Sequence, residues 1–198
     1  MRSHWKRGVV PKKIDHEQRR RELSQALWRV LATHGMSAVS LRHVAAEAGV
    51  SMGMVQHYFA DKEAMVLFAL SSMTEQFSRR VGEAFATLPE PDDPLARVRA
   101  VLVQGLPLDE ERRLEARVAA TFLVHAAVDP QVAAYLRSGY AEGHAYLTEQ
   151  LRTAGVTDPE RAASTLYAVA DGLTVHTLAG HHRPAEALAI LDAHLAAL

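Results

Sequence analysis

Leu41-Arg-His-Val-Ala-Ala-Glu-Ala-Gly-Val-Ser-Met-Gly-Met-Val-Gln-His-Tyr-Phe-Ala60 is the stretch that decides the fold. Two short helices meeting at a wide angle need a small residue where they touch and a residue tolerant of positive φ in the turn. They also need apolar side chains facing one shared core. Ala45 meets the first need and Gly49 the second, while Val44, Ala48, Val50, Val55 and Tyr58 fall on the inward positions. Ser40 and Ser51 stand where the two helices need N-caps, and Asp61 stands where the next helix does. The pattern predicts a helix-turn-helix whose second helix enters the major groove of DNA.

Outward from this unit the chain reads as helix throughout. No run alternates with period two, and Ala, Leu, Glu and Arg fill the long segments. A first helix is expected over 15–34, with Leu23, Leu27, Val30 and Leu31 on one stripe and Gly35 ending it. After the two short helices, others are expected over 62–87, 95–106, 109–128, 131–154, 159–179 and 184–197. Leu88-Pro89-Glu90-Pro91-Asp92-Asp93-Pro94 forces the one long loop. The expectation is an all-α chain of nine helices, without internal repeats.

Composition narrows the function. The 198 residues are 48% hydrophobic and 23% charged, enough for a sizeable core. Cysteine is absent, which removes disulfides, thiolate nucleophiles and Cys-ligated metals. No apolar run approaches a bilayer span, and the basic N-terminus lacks the apolar segment of a signal peptide, so a cytoplasmic protein is expected. The net charge of −1 hides an asymmetry: residues 1–62 carry eleven Lys/Arg against five acids, and the remainder eleven against eighteen. The first part suits a polyanion.

Val39-Ser40-Leu41-Arg42-His43-Val44-Ala45, then Ala48-Gly49-Val50-Ser51, Gly53 and His57-Tyr58-Phe59-Ala60-Asp61-Lys62-Glu63-Ala64, resembles the signature of TetR-family transcriptional repressors. Gln56 departs from the Tyr common at that place. Gln56-His57-Tyr58-Phe59, with Ala170-Asp171-Gly172-Leu173 late in the chain, is closer to the BetI-like branch, which brings choline among the conceivable ligands. The resemblance implies a two-domain architecture: a basic arm over 1–14, a helix-turn-helix DNA-binding domain over 15–62, and a ligand-binding and dimerisation domain over 63–198. It implies a ligand-responsive regulator, in the sense of a repressor, that binds a palindromic double-stranded DNA operator as a homodimer and takes a small-molecule effector. No cofactor is called for. The competing readings are a helical ligand-binding or scaffolding module without specific DNA binding, and a helical enzyme.

Residue chemistry assigns the DNA contacts. With Val55 and Tyr58 turned inward, the second short helix exposes Met52, Gly53, Gln56 and His57. Gln56 can pair with adenine N6 and N7, Met52 or Met54 can touch a thymine methyl, and Gly53 admits a close backbone approach. Arg42 reaches a guanine or a phosphate, and Ser51 starts the recognition helix. Ser40, His57, Tyr58 and Lys62 resemble the family's contacts to the DNA backbone, Lys62 adding its charge to a helix N-terminus. Tyr58 serves equally as a core residue.

The second part carries the candidate effector and dimer residues. The helix from Pro159 is apolar nearly all round, and the last helix repeats the pattern, so Leu166, Leu173, Leu188, Leu191 and Leu195 are expected to pair with their own copies. Phe68, Phe77, Phe122, His125, Tyr140, His144, Tyr146 and Tyr167 are candidates to line a pocket. Asp171 is expected in apolar surroundings, satisfied by an Arg, His or Thr or awaiting a cationic ligand. Eleven histidines suggest a metal or an enzyme, but no Glu-x-x-His, His-Glu-x-x-His, P-loop, Gly-x-Ser-x-Gly or dinucleotide fingerprint supports either. His176, His181 and His182 are read as capping a helix C-terminus, and no metal site is expected.

Overall fold

The structure is a computed structural model that describes residues 16–198. The basic arm expected over 1–14 lies outside the described residues. Among the described residues there are nine α-helices and no strand: α1 (His16–His34), α2 (Leu41–Glu47), α3 (Met52–Tyr58), α4 (Lys62–Ala86), α5 (Pro94–Gly105), α6 (Glu110–His125), α7 (Pro130–Thr153), α8 (Pro159–Leu178) and α9 (Pro184–Leu195). A 3₁₀ turn over Met36–Ala38, which helical periodicity did not reveal, follows Gly35.

Local chemistry sets the boundaries. Ser40, Ser51 and Asp61 each accept the backbone N–H three residues on, from His43, Met54 and Ala64. Asp93, Asp129 and Asp158 cap helices that open on proline, which has no N–H to leave unsatisfied in the first turn. Helix α6 stops at His125, three residues before the expected end. Pro130 holds Asp129 in extended backbone, where its carboxylate accepts the N–H groups of Gln131 and Val132; α6 must end earlier to make room for that turn.

Two apolar clusters hold the helices together. The first joins α1, α2, α3 and the start of α4, and takes in Val118 and Phe122 of α6 and Val132 of α7. The second joins α5, α7, α8 and α9, with Phe77, Val81 and Phe85 of α4 packed against it. Helix α4 thus runs from one cluster into the other. Trp28 of α1 donates its indole N–H to the Ala69 carbonyl at 3.2 Å. Further along α4, Arg80 grips Glu115 of α6 in a two-pronged, nearly buried ion pair. Gln76 donates to the same carboxylate at 2.7 Å.

The last two helices correct one expectation. Leu166, Leu173, Leu191 and Leu195 are buried in the protomer's own second cluster, and Leu188 is half-buried. What α8 and α9 turn outward includes Ala168, Asp171, Val175, Ala185, Ala189, Ile190 and Ala193, beside polar residues such as Ser164, Thr165 and His176. The protomer's core takes the leucines, and the apolar part of the outward surface is left mainly to alanine, with Val175 and Ile190.

Candidate nucleic-acid interface and effector region

The helix-turn-helix forms as its spacing demands. Val44 and Val55 are fully buried and Ala45 nearly so, while Ala48, Val50 and Tyr58 pack partly buried against the same cluster. Removing each of the two valines from water contributes about 1.5–3 kcal/mol. Gly49 sits at φ 66°, the left-handed turn conformation. With those residues committed inward, α3 presents Met52, Gly53, Gln56 and His57 to solvent, and Ser51 precedes them, also exposed. Arg42 is exposed on α2, and Ser40 is half-buried beside its cap.

Rings gather at the far end of α3. His57 meets Tyr58 edge-on at 5.1 Å between centroids, and His16 at the start of α1 stands 6.1 Å from His57 and 5.6 Å from Tyr58. His16 escaped the sequence reading because no periodicity places the first turn of α1 beside the last turn of α3. Lys62 is exposed, and its ammonium donates to the Met36 carbonyl at 3.4 Å.

The candidate effector residues do not form one group. Phe122 is fully buried in the first cluster, a core position, and so is corrected as a pocket-lining residue. Phe68 packs on that cluster against Phe59, with the Arg20 guanidinium 4.3 Å above its ring. His125 pairs with Asp129 at 3.3 Å, in the wall of a cleft of about 420 Å³ that Met36, Lys62 and Val66 line from the other side. Phe77 and Tyr146 pack on the second cluster, where Tyr146 stacks on Phe85 and leaves its buried hydroxyl without a partner among the described residues.

Three candidates do gather on α7 and α8. Tyr140 and Tyr167 stand 5.0 Å apart and Tyr140 and His144 5.6 Å, and His144 Nε2 lies 2.9 Å from the Ser164 hydroxyl. Burial, with help from Tyr140 and Asp171, pushes the Tyr167 hydroxyl up to about 12, so it stays a protonated donor through the neutral range. Asp171 departs from expectation. It lies on the surface with no hydrogen-bond or ion-pair partner among the described residues, and partial desolvation holds its carboxyl above the ordinary aspartate value. Its helix turns it outward, where no Arg, His or Thr among the described residues satisfies it.

His176, His181 and His182 crowd the turn between α8 and α9, with Nδ1 of His176 and His181 2.8 Å apart. Among the described residues no group of three or more His, Asp or Glu side chains is arranged to hold a metal ion. Nor is any helix among them long and apolar enough to cross a membrane.

A helix-turn-helix with an outward polar face, joined by one long helix to an all-helical body, defines a DNA-binding transcriptional regulator. The chain belongs to the TetR family: residues 23–68 match the bacterial regulatory proteins of the tetR family, and residues 94–198 match the C-terminal part of BetI-type transcriptional repressors. It is 31% identical over 173 residues to the HTH-type transcriptional regulator PksA of Bacillus subtilis (strain 168), across 85% of this chain and 83% of that one. A transcriptional regulator from Rhodococcus sp. Rha1 has the same fold at a TM-score of 0.81 and 34% identity, covering 89% of this chain and 94% of its own. A regulator from Saccharomonospora viridis, solved in complex with choline, shares the fold at a TM-score of 0.78 and 23% identity, covering 89% and 94%. Members of the family bind operator DNA and small-molecule effectors, typically as dimers, and are not enzymes.

Proposed function

We propose that this regulator is a cytoplasmic repressor that binds a palindromic operator as an isologous homodimer and releases it when a small apolar or cationic-amphipathic effector binds. The observation that carries the reading is the solvent-facing set Met52, Gly53, Gln56 and His57 on a recognition helix whose other face is locked into the core. DNA contact is assigned to these residues with Ser40, Arg42, Ser51, Tyr58 and Lys62, within a head spanning 15–62. Effector binding and dimerisation fall to 63–198.

Tyr140, His144, Tyr167 and the unpaired Asp171 carboxylate are the effector residues we favour, because aromatic faces beside a carboxylate attract an organic cation. The choline held by the Saccharomonospora viridis regulator makes that class of ligand the first to try. Dimerisation is assigned to the outward alanines of α8 and α9 with Val175 and Ile190, which allow two such pairs of helices to approach closely.

Helix α4 couples the two ends, since its first turns pack on the head and its last turns on the body. An effector acts only by preferring one position of α4, and a coupling of about 1–3 kcal/mol is typical. The test is selection of genomic fragments on purified protein at moderate salt, followed by titration of the retained operator with and without choline and related cations. Enrichment of one palindrome, released by an effector, is the expected result. Uniform retention of all fragments removes the reading.

A further inference from the structure

A cleft of about 240 Å³ lies between α1 and the middle of α4 and shares no residue with the α7 and α8 aromatic group. Arg21, Ser24 and Gln25 line it from α1, and Ser72, Glu75 and Gln76 from α4. Two packed amphipathic helices ordinarily close on an apolar seam, and here Trp28 of α1 is the one apolar side chain in the lining, the others being polar or charged.

Its polar groups are largely uncommitted. The Ser24 side chain is 2% exposed, yet its hydroxyl has no hydrogen-bond partner among the described residues, a rare and costly state for a buried hydroxyl. The Arg21 guanidinium makes no ion pair or hydrogen bond among the described residues, and Gln25 and Ser72 make no side-chain hydrogen bond there. On the opposite wall Glu75 accepts, among the described residues, only the Ser71 hydroxyl, at 3.4 Å. Gln76 directs its amide N–H₂ to Glu111 and Glu115, and its own carbonyl oxygen has no partner among the described residues. The remaining cation of the lining, Arg79, faces Glu83 at 3.6 Å. One unpaired cation therefore stands on α1 and one weakly satisfied carboxylate on α4.

We propose that this cleft binds a small zwitterion of the α-amino-acid type. Its carboxylate is taken by Arg21 with the Ser24 and Ser72 hydroxyls and the Gln25 amide, and its ammonium by Glu75 with the Gln76 carbonyl. A simple anion would meet Glu75 with nothing to offer it, and a simple cation would meet Arg21. A zwitterion satisfies both walls and gives the buried Ser24 hydroxyl an acceptor.

The test is calorimetric titration of the full chain with the common α-amino acids, each beside its amine-free acid and its methyl ester. At least one amino acid is expected to bind, with both counterparts about tenfold weaker or worse, the scale of one lost charge-assisted hydrogen bond. Arg21→Gln is expected to erase the preference for acid over ester, and Glu75→Gln the preference for amino acid over amine-free acid. Both side chains are exposed, so neither change threatens folding. Ser24→Ala removes a buried unpartnered hydroxyl and is expected to weaken binding without lowering the melting temperature. The proposal is overturned if no amino acid binds at millimolar concentration, or if binding survives Arg21→Gln and Glu75→Gln unchanged, which would put the ligand elsewhere. Coupling of Arg21 to Glu75 in a double-mutant cycle with no amino acid bound also overturns it, since the two would then be each other's partners across an empty cleft.

Discussion

The Tyr167 hydroxyl occupies the space in which a β-carbon on Gly143 would stand. Gly143 lies inside α7, where glycine costs about 1 kcal/mol relative to alanine, and its helix tolerates it because Tyr167 of α8 closes into the gap. Gly143→Ala must therefore push the ring outward and disturb its contact with Tyr140. In a Tyr167→Phe background the nearest atom is a ring carbon 3.4 Å away, an ordinary contact. Gly143→Ala is expected to stabilise the Tyr167→Phe chain by about 1 kcal/mol and to give less than that, or to destabilise, in the original chain. Urea unfolding of the four proteins of the cycle measures the difference.

The Arg80 and Glu115 pair between α4 and α6 makes a second prediction. Its side chains are 15% and 8% exposed, so removing one partner strands the other charge out of water. Glu115→Ala is expected to cost about 3–5 kcal/mol, while replacing both residues by apolar side chains of similar volume is expected to be nearly neutral. If the double replacement unfolds the chain as severely as Glu115→Ala, the pair contributes more than the stranded charge accounts for.

This pair also marks what could be read in the sequence. The helix-turn-helix was legible to single residues, because Ser40, Gly49 and Ser51 act within three positions of themselves and Val44 and Val55 sit one helical turn from their neighbours. Arg80 and Glu115 are 35 residues apart on separate amphipathic helices, and nothing local distinguishes them from solvated charges. The same limit applied to Phe122 and to the leucines of α8 and α9. Periodicity showed that each helix had more apolar surface than one face needs, but could not show which face the protomer's own core would claim. Asp171 reversed for the same reason, an outward position in an apolar helix looking in sequence like an inward one.

On DNA, the exposed Gln56 and Lys62 are expected to behave differently. Gln56→Ala should cost about 1–3 kcal/mol at one base pair of each half-site and relax the preference there. Lys62→Ala should weaken all sequences alike and lower the slope of log affinity against log salt by about 1 per protomer, once its ammonium leaves the Met36 carbonyl for a phosphate. Anisotropy titrations with operator and scrambled duplexes at several salt concentrations separate the two. Equal losses on both duplexes for Gln56→Ala would remove it from base readout.

Asp171 sets the last prediction, through the sign of its proton linkage. Desolvation holds its carboxyl above the ordinary aspartate value of 3.8, so the native chain binds this proton more tightly than the unfolded chain does. Stability from this group therefore falls as pH rises through the native value, and the full penalty is in place at neutral pH. Asp109, Asp129, Asp158 and Glu186 act in the opposite sense: hydrogen bonds from backbone N–H groups and neighbouring side chains hold them below their ordinary values, so their contribution is lost on acidification. The total acid profile mixes both signs, and only a comparison at one residue isolates Asp171. Asp171→Asn keeps the shape and removes the charge. Relative to the original chain it is expected to be more stable at pH 7, with the advantage shrinking as pH falls from the raised native value toward 3.8 and gone below it. Urea midpoints of both proteins from pH 7 to the acid limit of folding read this directly, and parallel curves with no gap at pH 7 would show that the carboxylate is fully solvated. Dimerisation through the outward face of α8 would bury Asp171 further, so the gap is also expected to widen with protein concentration.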